Sequence, residues 1–218
     1  MIEVEKIDVW GFEHAIRGMR NPLNSWNKSD STFFINYDEG KRDFIVGKND
    51  LDLMRKLYEA GTEHRKYLRQ IIVSMDITAP LYWWKEFDTY KVGTVANSCS
   101  TMHKIHAKEF TLDDFSHEHL YSTSLNKLQE VIDEMNRHRN NYLVNKDKNM
   151  WWQMIQLLPS SYNQKRTITM NYENVVTIIR QRSGHKLDEW NDFVKMLKDL
   201  PYIMDIIRKE IDDERSVL

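Results

Sequence analysis

The sequence predicts an α+β protein in which an antiparallel or mixed sheet packs with several helices, and in which the C-terminal half is mainly helical. Two patterns support this prediction. Apolar and polar residues alternate over residues 4–10 and 71–77, as expected of strands with one buried face. From residue 125 onward, apolar residues recur at helical spacing, which is typical of amphipathic helices.

The N-terminal elements follow from turn and breaker residues. A strand over residues 4–10 leads into a helix over residues 11–20, which ends at a proline and gives way to a polar loop. The turn residues Asp38-Glu39-Gly40-Lys41 then predict a hairpin between strands at residues 33–37 and 42–46.

A further helix, strand and helix are predicted in the middle of the chain. The first helix covers residues 50–58, and the strand lies within residues 68–78. Pro80 suits the first turn of the second helix, at residues 81–87. Residues 93–101 are small and polar, and this composition predicts a loop that a ligand can approach closely.

The C-terminal half is predicted to be helical apart from one short strand. Alternation indicates the strand at residues 166–170. Helices are expected at residues 124–144, 147–157, 171–182, 186–200 and 201–215. With only seven glycines, four prolines and no repeat in 218 residues, we expect one domain over residues 1–218.

Charge, hydropathy and cysteine content argue against several classes of protein. The formal net charge of −2 gives no bulk attraction to nucleic acid or to an anionic membrane. We find neither an apolar run of the roughly 20 residues that a membrane span requires nor a signal peptide. Cys99 is the only cysteine, which fits a reducing cytoplasm. The histidines lack zinc-site spacing, so no metal is expected.

Basic and hydrogen-bonding side chains gather around the helix predicted at residues 171–182. Lys165 precedes it, Asn171 opens it, and Arg180 and Arg182 lie near its end. Free backbone donors at a helix start would add to an anion site. Basic residues at a helix C-terminus are equally expected because they offset the helix dipole. The pattern alone leaves both interpretations open.

This region resembles the C-terminal signature of the flavin-dependent thymidylate synthases. In that signature a Leu-Pro turn leads through a strand to a helix that ends in a nucleotide-binding arginine. Here the same order and nearly the same spacing are found for Leu158-Pro159, Thr169, Asn171, Arg182, His185 and the Asp188-Glu189-Trp190 region. The resemblance implies the family's fold.

Residues 71–104 resemble the strand, Ala-Pro turn and helix that carry the family's Arg-His-Arg motif, but the chemistry of the motif has changed. Thr89 and Tyr90 stand at the first two positions, and Lys91 keeps a cation without the bidentate fork of arginine. Glu86 stands where the family has a glutamine, and we expect it to pair with Lys85 or Lys91, since it would repel a phosphate. The chain is therefore expected to be a divergent member that lacks the motif.

The triplet itself occurs elsewhere, at Arg137-His138-Arg139. There it largely occupies the polar face of a predicted helix, which indicates a solvated surface.

The resemblance implies binding of a pyrimidine nucleotide such as dUMP and of FAD, with one-carbon transfer and reduction at uracil carbon 5. It also implies a folate donor, a nicotinamide reductant and a homotetramer with sites at subunit junctions. The implied nucleotide contacts are Lys85, Lys91, Asn97, Lys165 and Arg182. The implied flavin contacts are His64, Tyr90, Lys91, Thr94, Asn171 and His185, with Ser29 and Ser31 in an early loop as further candidates.

Arg182 and Cys99 are the candidates for catalysis. A Cys99 thiolate could add to carbon 6 of a uracil ring, although a lone cysteine among small residues is commonly inert. Two other functions stay open. The loss of the Arg-His pair favours a binding or structural protein without catalysis, whereas Tyr90, Lys91 and Cys99 could serve an enzyme that modifies another pyrimidine nucleotide.

Overall fold

The computed structural model describes residues 2–36 and 41–207, and it has the predicted α+β architecture. The strands are β1 (Glu3–Trp10), β2 (Thr32–Asn36), β3 (Lys41–Ile45), β4 (Ile72–Pro80), β5 (Thr94–Ser98) and β6 (Asn163–Asn171). The helices are α1 (Phe12–Arg20), α2 (Lys48–Glu59), α3 (Leu81–Phe87), α4 (Ser122–Asn145), α5 (Lys148–Leu157), α6 (Tyr172–Arg182) and α7 (Asp188–Lys198). Short 3₁₀ turns cover Asn21–Leu23, Trp26–Lys28, Arg65–Gln70 and Leu112–Asp114.

Four strands form an antiparallel sheet in the order β1-β4-β6-β5, and β2 and β3 form a separate hairpin. The central pair, β4 and β6, runs in register from Ile72 opposite Asn171 to Pro80 opposite Asn163. β4 leads directly into α3, and β6 leads directly into α6. The two predicted strand-to-helix junctions therefore lie at opposite ends of one strand pair.

Alternation along these strands separates a buried face from a partly exposed one. The apolar residues Val73, Met75, Ile77, Ile168 and Met170 are buried in the main core beneath the helices. The opposite face is polar and cross-linked: the Thr167 hydroxyl donates to Asp76 at 2.6 Å, and Ser74 and Thr169 lie 3.2 Å apart. A smaller core forms around α4 and α5 from Ile105, Phe110, Phe115, Leu128, Ile132, Met135 and Met154. That residues 1–218 form one domain stays a prediction.

The prediction of a loop over residues 93–101 is wrong in its centre, because Thr94–Ser98 forms the edge strand β5. An edge strand pairs on one side only and here buries little, so its residues lack the apolar alternation that marks a central strand. The predicted hairpin turn at residues 38–40 lies outside the described residues. Of the last predicted helix, residues 203–207 are helical and residues 208–215 lie outside the described part of the chain. No helix of the described ranges is both long and apolar enough to span a membrane.

A buried ion pair fastens α1 to α2. The Arg20 Nε–H donates to Asp50 at 2.6 Å, and the two side chains are 4% and 0% exposed. The second Asp50 oxygen accepts hydrogen bonds from the Ser29 and Ser31 hydroxyls, both at 2.6 Å. Burial raises the pKa of Asp50, but the hydrogen bonds from Ser29, Ser31 and Arg20 outweigh it, so the pKa lies below its ordinary value.

We expect Asp50→Asn to lower the free energy of unfolding by about 3 to 5 kcal/mol, because it leaves the Arg20 charge buried without a counter-ion. The matched control is Asp52→Asn on the same helix, which breaks an exposed pair with Arg55 and should cost less than about 1 kcal/mol. Urea denaturation measures both. Equal losses in the two variants would contradict the assigned role of Asp50.

The depressed pKa also fixes a pH dependence. The stability that ionised Asp50 contributes is present above the unfolded pKa of about 4 and is lost as the pH falls through the lower folded value. The wild type should therefore lose this stability below about pH 4. Asp50→Asn should lack that component of the loss.

Candidate functional site

Arg182, in the last turn of α6, makes three contacts that join separate parts of the chain. Its Nη1–H donates to Glu86 Oε2 on α3 at 2.6 Å, and its Nε–H donates to the Tyr90 hydroxyl at 2.9 Å. Its guanidinium lies 4.5 Å from the centre of the Trp190 ring on α7. The Arg182 side chain is 18% exposed and Glu86 is 36% exposed, so solvent and ligands can reach the pair.

Trp190 holds the same carboxylate from the protein interior. Its indole N–H donates to Glu86 Oε2 at 3.0 Å, and the residue is 0% exposed. A buried indole N–H needs a hydrogen-bond acceptor, and Trp190 therefore holds Glu86 Oε2 in a fixed position. The prediction that Glu86 pairs with Lys85 or Lys91 is wrong: its partner is Arg182, a contact between elements far apart in sequence.

His185 completes this group. Its Nδ1 accepts the Leu187 backbone N–H at 3.1 Å, and its Nε2 lies 3.6 Å from Glu86 Oε2. The same Nε2 lies 3.1 Å from Arg182 Nη1, so His185 contacts both members of the Arg182–Glu86 pair. We call Glu86, Tyr90, Arg182, His185 and Trp190 the Arg182 cluster.

Aromatic packing places α3 beside this cluster. Trp83, Trp84 and Phe87 are buried. The Trp83 ring lies 4.7 Å from the Trp190 ring and 5.1 Å from the Phe87 ring, measured between centroids. With these residues facing inward, Glu86 is left at the edge of the helix where core and solvent meet.

A second group of polar residues lies at the junction of β6 and α6. Asn171 caps α6, since its side-chain oxygen accepts the Asn174 backbone N–H at 3.1 Å. The Asn174 amide donates to Thr94 Oγ1 at 2.6 Å and to the Val92 carbonyl at 2.8 Å. With these acceptors engaged, the Thr94 hydroxyl hydrogen and the Asn171 amide group are available as donors.

Gly93 allows the chain to pass close to this junction. Its φ is +75°, and a Cβ built on it would lie 2.5 Å from the Asn171 amide nitrogen. Any side chain here would displace Asn171, so glycine is required both for its backbone conformation and for the space.

The structure places two predicted site residues away from the Arg182 cluster. Lys165 binds Glu5 at 2.7 Å, and this hydrogen bond raises the Lys165 pKa. Lys165 and Cys99 line a cavity of about 740 Å³ together with Lys108, His117 and Tyr162, and Arg182 is not in that lining.

The remaining predicted residues are also dispersed. His64 lines another cavity, of about 630 Å³, with Met19, Leu53 and Leu57. Lys85, Lys91 and Asn97 are exposed, and Asn97 stands on β5. Of the predicted residues, the structure thus brings Arg182, Tyr90 and His185 into one cluster and Thr94 and Asn171 into another.

The early serines have a structural role here, because Ser29 and Ser31 bind the Asp50 carboxylate. The Arg137-His138-Arg139 triplet lies on α4 as predicted. The prediction of a solvated surface holds for Arg137, which is exposed and pairs with Glu134. It is wrong for His138, which is mostly covered and lies 2.9 Å from the same carboxylate, and for the partly buried Arg139, which donates to the His106 carbonyl.

Sequence reasoning missed Trp190 as a ring that contacts Arg182. Its position in the segment after His185 was a signal, since an aromatic close to a helix-end arginine favours cation–π contact.

In sequence, no protein-family model and no curated protein matches this chain. In structure, it is similar to two crystal structures of the flavin-dependent thymidylate synthase ThyX from Helicobacter pylori, each of which contains FAD and dUMP. Both superpositions have a TM-score of 0.65 and 17% sequence identity. One covers 94% of this chain and 96% of that protein, and the other covers 93% and 96%. The chain therefore has a flavin-dependent thymidylate synthase-like α+β fold.

Proposed function

We propose that this protein binds a pyrimidine nucleotide of the dUMP type at the Arg182 cluster, and FAD beside it, as a divergent relative of the flavin-dependent thymidylate synthases. The observation that carries the proposal is the convergence of the two motif-bearing stretches. Arg182 from one stretch donates to Glu86 and Tyr90 from the other, and His185 Nε2 lies 3.6 Å from the Glu86 carboxylate. By resemblance, the reaction is one-carbon transfer and reduction at uracil carbon 5.

The chemistry of the Arg182 cluster suits a pyrimidine. Two of the Arg182 nitrogens are engaged, and Nη2 has no hydrogen-bond partner in the described part of the chain. A free guanidinium N–H donates well to a ring carbonyl or a phosphate oxygen. The partly exposed ring of Tyr90 beside it adds flat aromatic surface, against which a base can stack.

The residues near β5 fit the acceptor-rich groups of FAD. Thr94 and Asn171 have donors to spare, because their oxygens already accept from Asn174. Among the described residues, no carboxylate lies within ion-pair distance of Lys85 or Lys91, so both cations can meet a diphosphate. We infer that Tyr90, Lys91, Thr94, Asn171 and His185 hold the cofactor. When bound, FAD supplies the redox chemistry of the reaction.

By the same resemblance, we propose a folate donor, a nicotinamide reductant and a homotetramer. In a tetramer, a site at a subunit junction draws residues from more than one copy. Residues remote from the Arg182 cluster of their own chain could then contribute to the site of a neighbouring copy; these are His64, Asn97, Cys99 and Lys165. We propose the cytoplasm as the location, on the grounds of the single cysteine.

A second candidate function is nucleotide binding without catalysis. It is favoured by the engagement of Arg182 with Glu86, and by Tyr90 standing at a position where the family has a catalytic-motif histidine. Such a protein would bind dUMP without transferring a carbon to it.

We expect purified protein to carry or take up FAD and to show the visible absorption of oxidised flavin. Gly93→Ala should weaken FAD binding about threefold to tenfold, because the new methyl group displaces the Asn171 donor. Gly61→Ala is the matched control: Gly61 also has a positive φ, of +105°, but nothing lies within 4 Å of its Cβ position.

A flavin titration followed by absorbance or fluorescence measures these affinities. An equal loss in both glycine variants would attribute the effect to backbone strain and remove Asn171 from the flavin site. A colourless protein that ignores added FAD would remove the cofactor from the proposal.

We expect Arg182→Ala to weaken dUMP binding by about 1.5 to 3 kcal/mol, because a charged hydrogen bond is lost. Arg180→Ala is the control, since it removes the same charge from the same end of α6 but from a side chain that stacks on Tyr58. Calorimetric titration should show at most a threefold change for that control, on the order of a single exposed charge. Unchanged dUMP affinity in Arg182→Ala would contradict the assignment.

A further inference from the structure

We propose that Glu86 selects the charge class of the ligand: its carboxylate competes with anionic groups for Arg182, so that the cluster favours the neutral carbonyl edge of a pyrimidine over a phosphate. This inference rests on the proposed function only in taking the ligand to be a pyrimidine nucleotide. The competition itself follows from contacts within this chain.

The carboxylate is fixed in its competing position from two sides. Arg182 Nη1 approaches the Oε2 atom of Glu86 at 2.6 Å, and the Trp190 indole N–H donates to the same atom at 3.0 Å. If Glu86 swung into solvent to admit a phosphate, the fully buried Trp190 would lose its acceptor. An incoming anion therefore meets a carboxylate that the fold holds against the guanidinium.

The charges around Arg182 support the same conclusion. Its positive charge is matched by the negative charge of Glu86, whose Oε2 lies 2.6 Å from Arg182 Nη1. Asp88, the next carboxylate along the chain, is engaged by Arg166 at 2.8 Å. Like charges a few ångströms apart repel strongly in a partly desolvated site, so a phosphate is opposed while an uncharged carbonyl is not.

Glu86→Gln tests the effect of the negative charge apart from the shape of the side chain. The glutamine side chain has nearly the same shape, and its oxygen can still accept from Trp190 and Arg182, but the negative charge is gone. The control is Glu130→Gln, which makes the same charge change on α4 at an exposed pair with Lys127.

Calorimetric titrations would use three probes: dUMP, deoxyuridine and inorganic pyrophosphate. We expect Glu86→Gln to bind dUMP and pyrophosphate about tenfold more tightly than the wild type, because the repulsion is removed. Deoxyuridine affinity should change by less than about twofold, since that ligand carries no charge. Glu130→Gln should match the wild type for all three probes.

Two outcomes overturn the inference. One is an equal change in dUMP and deoxyuridine affinity, and the other is no gain for either anionic probe. Failure of the proposed function would give a different result: neither the wild type nor the variants would bind dUMP or deoxyuridine. The pyrophosphate titrations alone would then test whether Glu86 competes for Arg182. If Glu86→Gln fails to fold, Glu86→Ala also removes the charge, and the same preference for anions is expected.

Discussion

One carboxylate oxygen, Oε2 of Glu86, accepts hydrogen bonds from a helix-end arginine and from a buried indole. Through it α3, α6 and α7 meet at one point, and each contact depends on the others. Trp190 is buried because it packs against the aromatic face of α3, and this packing also decides where Glu86 stands. Arg182 is then held where its guanidinium faces both a carboxylate and two aromatic rings. The candidate site is thus a product of core packing.

This arrangement connects the fold to its chemistry. The antiparallel pair β4 and β6 sends one helix out from each end, and the aromatic core brings the end of α3 against the end of α6. The fold therefore brings Glu86, Tyr90, Arg182 and His185 together, although Thr89, Tyr90 and Lys91 stand at the positions of the Arg-His-Arg triplet.

Local patterns in the sequence predicted most of the fold. Alternation identified β1, β4 and β6, turn residues identified the hairpin, and Asn171 marked the start of α6, because these signals depend on neighbouring residues. The edge strand β5 was missed, since pairing on one side places few demands on composition. The resemblance to a known family placed Arg182, Tyr90 and His185 together, which composition alone could not do.

Tertiary pairing explains what the sequence did not reveal about the site. Ion-pair partners near in sequence were expected for Glu86, but its true partner lies on another helix and is selected by aromatic packing that no local pattern reports. Lys165 was predicted beside Arg182, yet the antiparallel register carries it to the far end of β6, where it meets Glu5 and lines a different cavity. Closeness in the chain did not predict closeness in space for Lys165 and Arg182, because a strand and a helix separate the two cations.

The most direct test of the central claim is a crystal structure of the protein with dUMP. We expect the nucleotide beside Tyr90, with an oxygen acceptor of the ligand about 3 Å from the Arg182 guanidinium. Electron density for dUMP in the cavity lined by Cys99 and Lys165, with Arg182 still bound to Glu86, Tyr90 and His185, would contradict it.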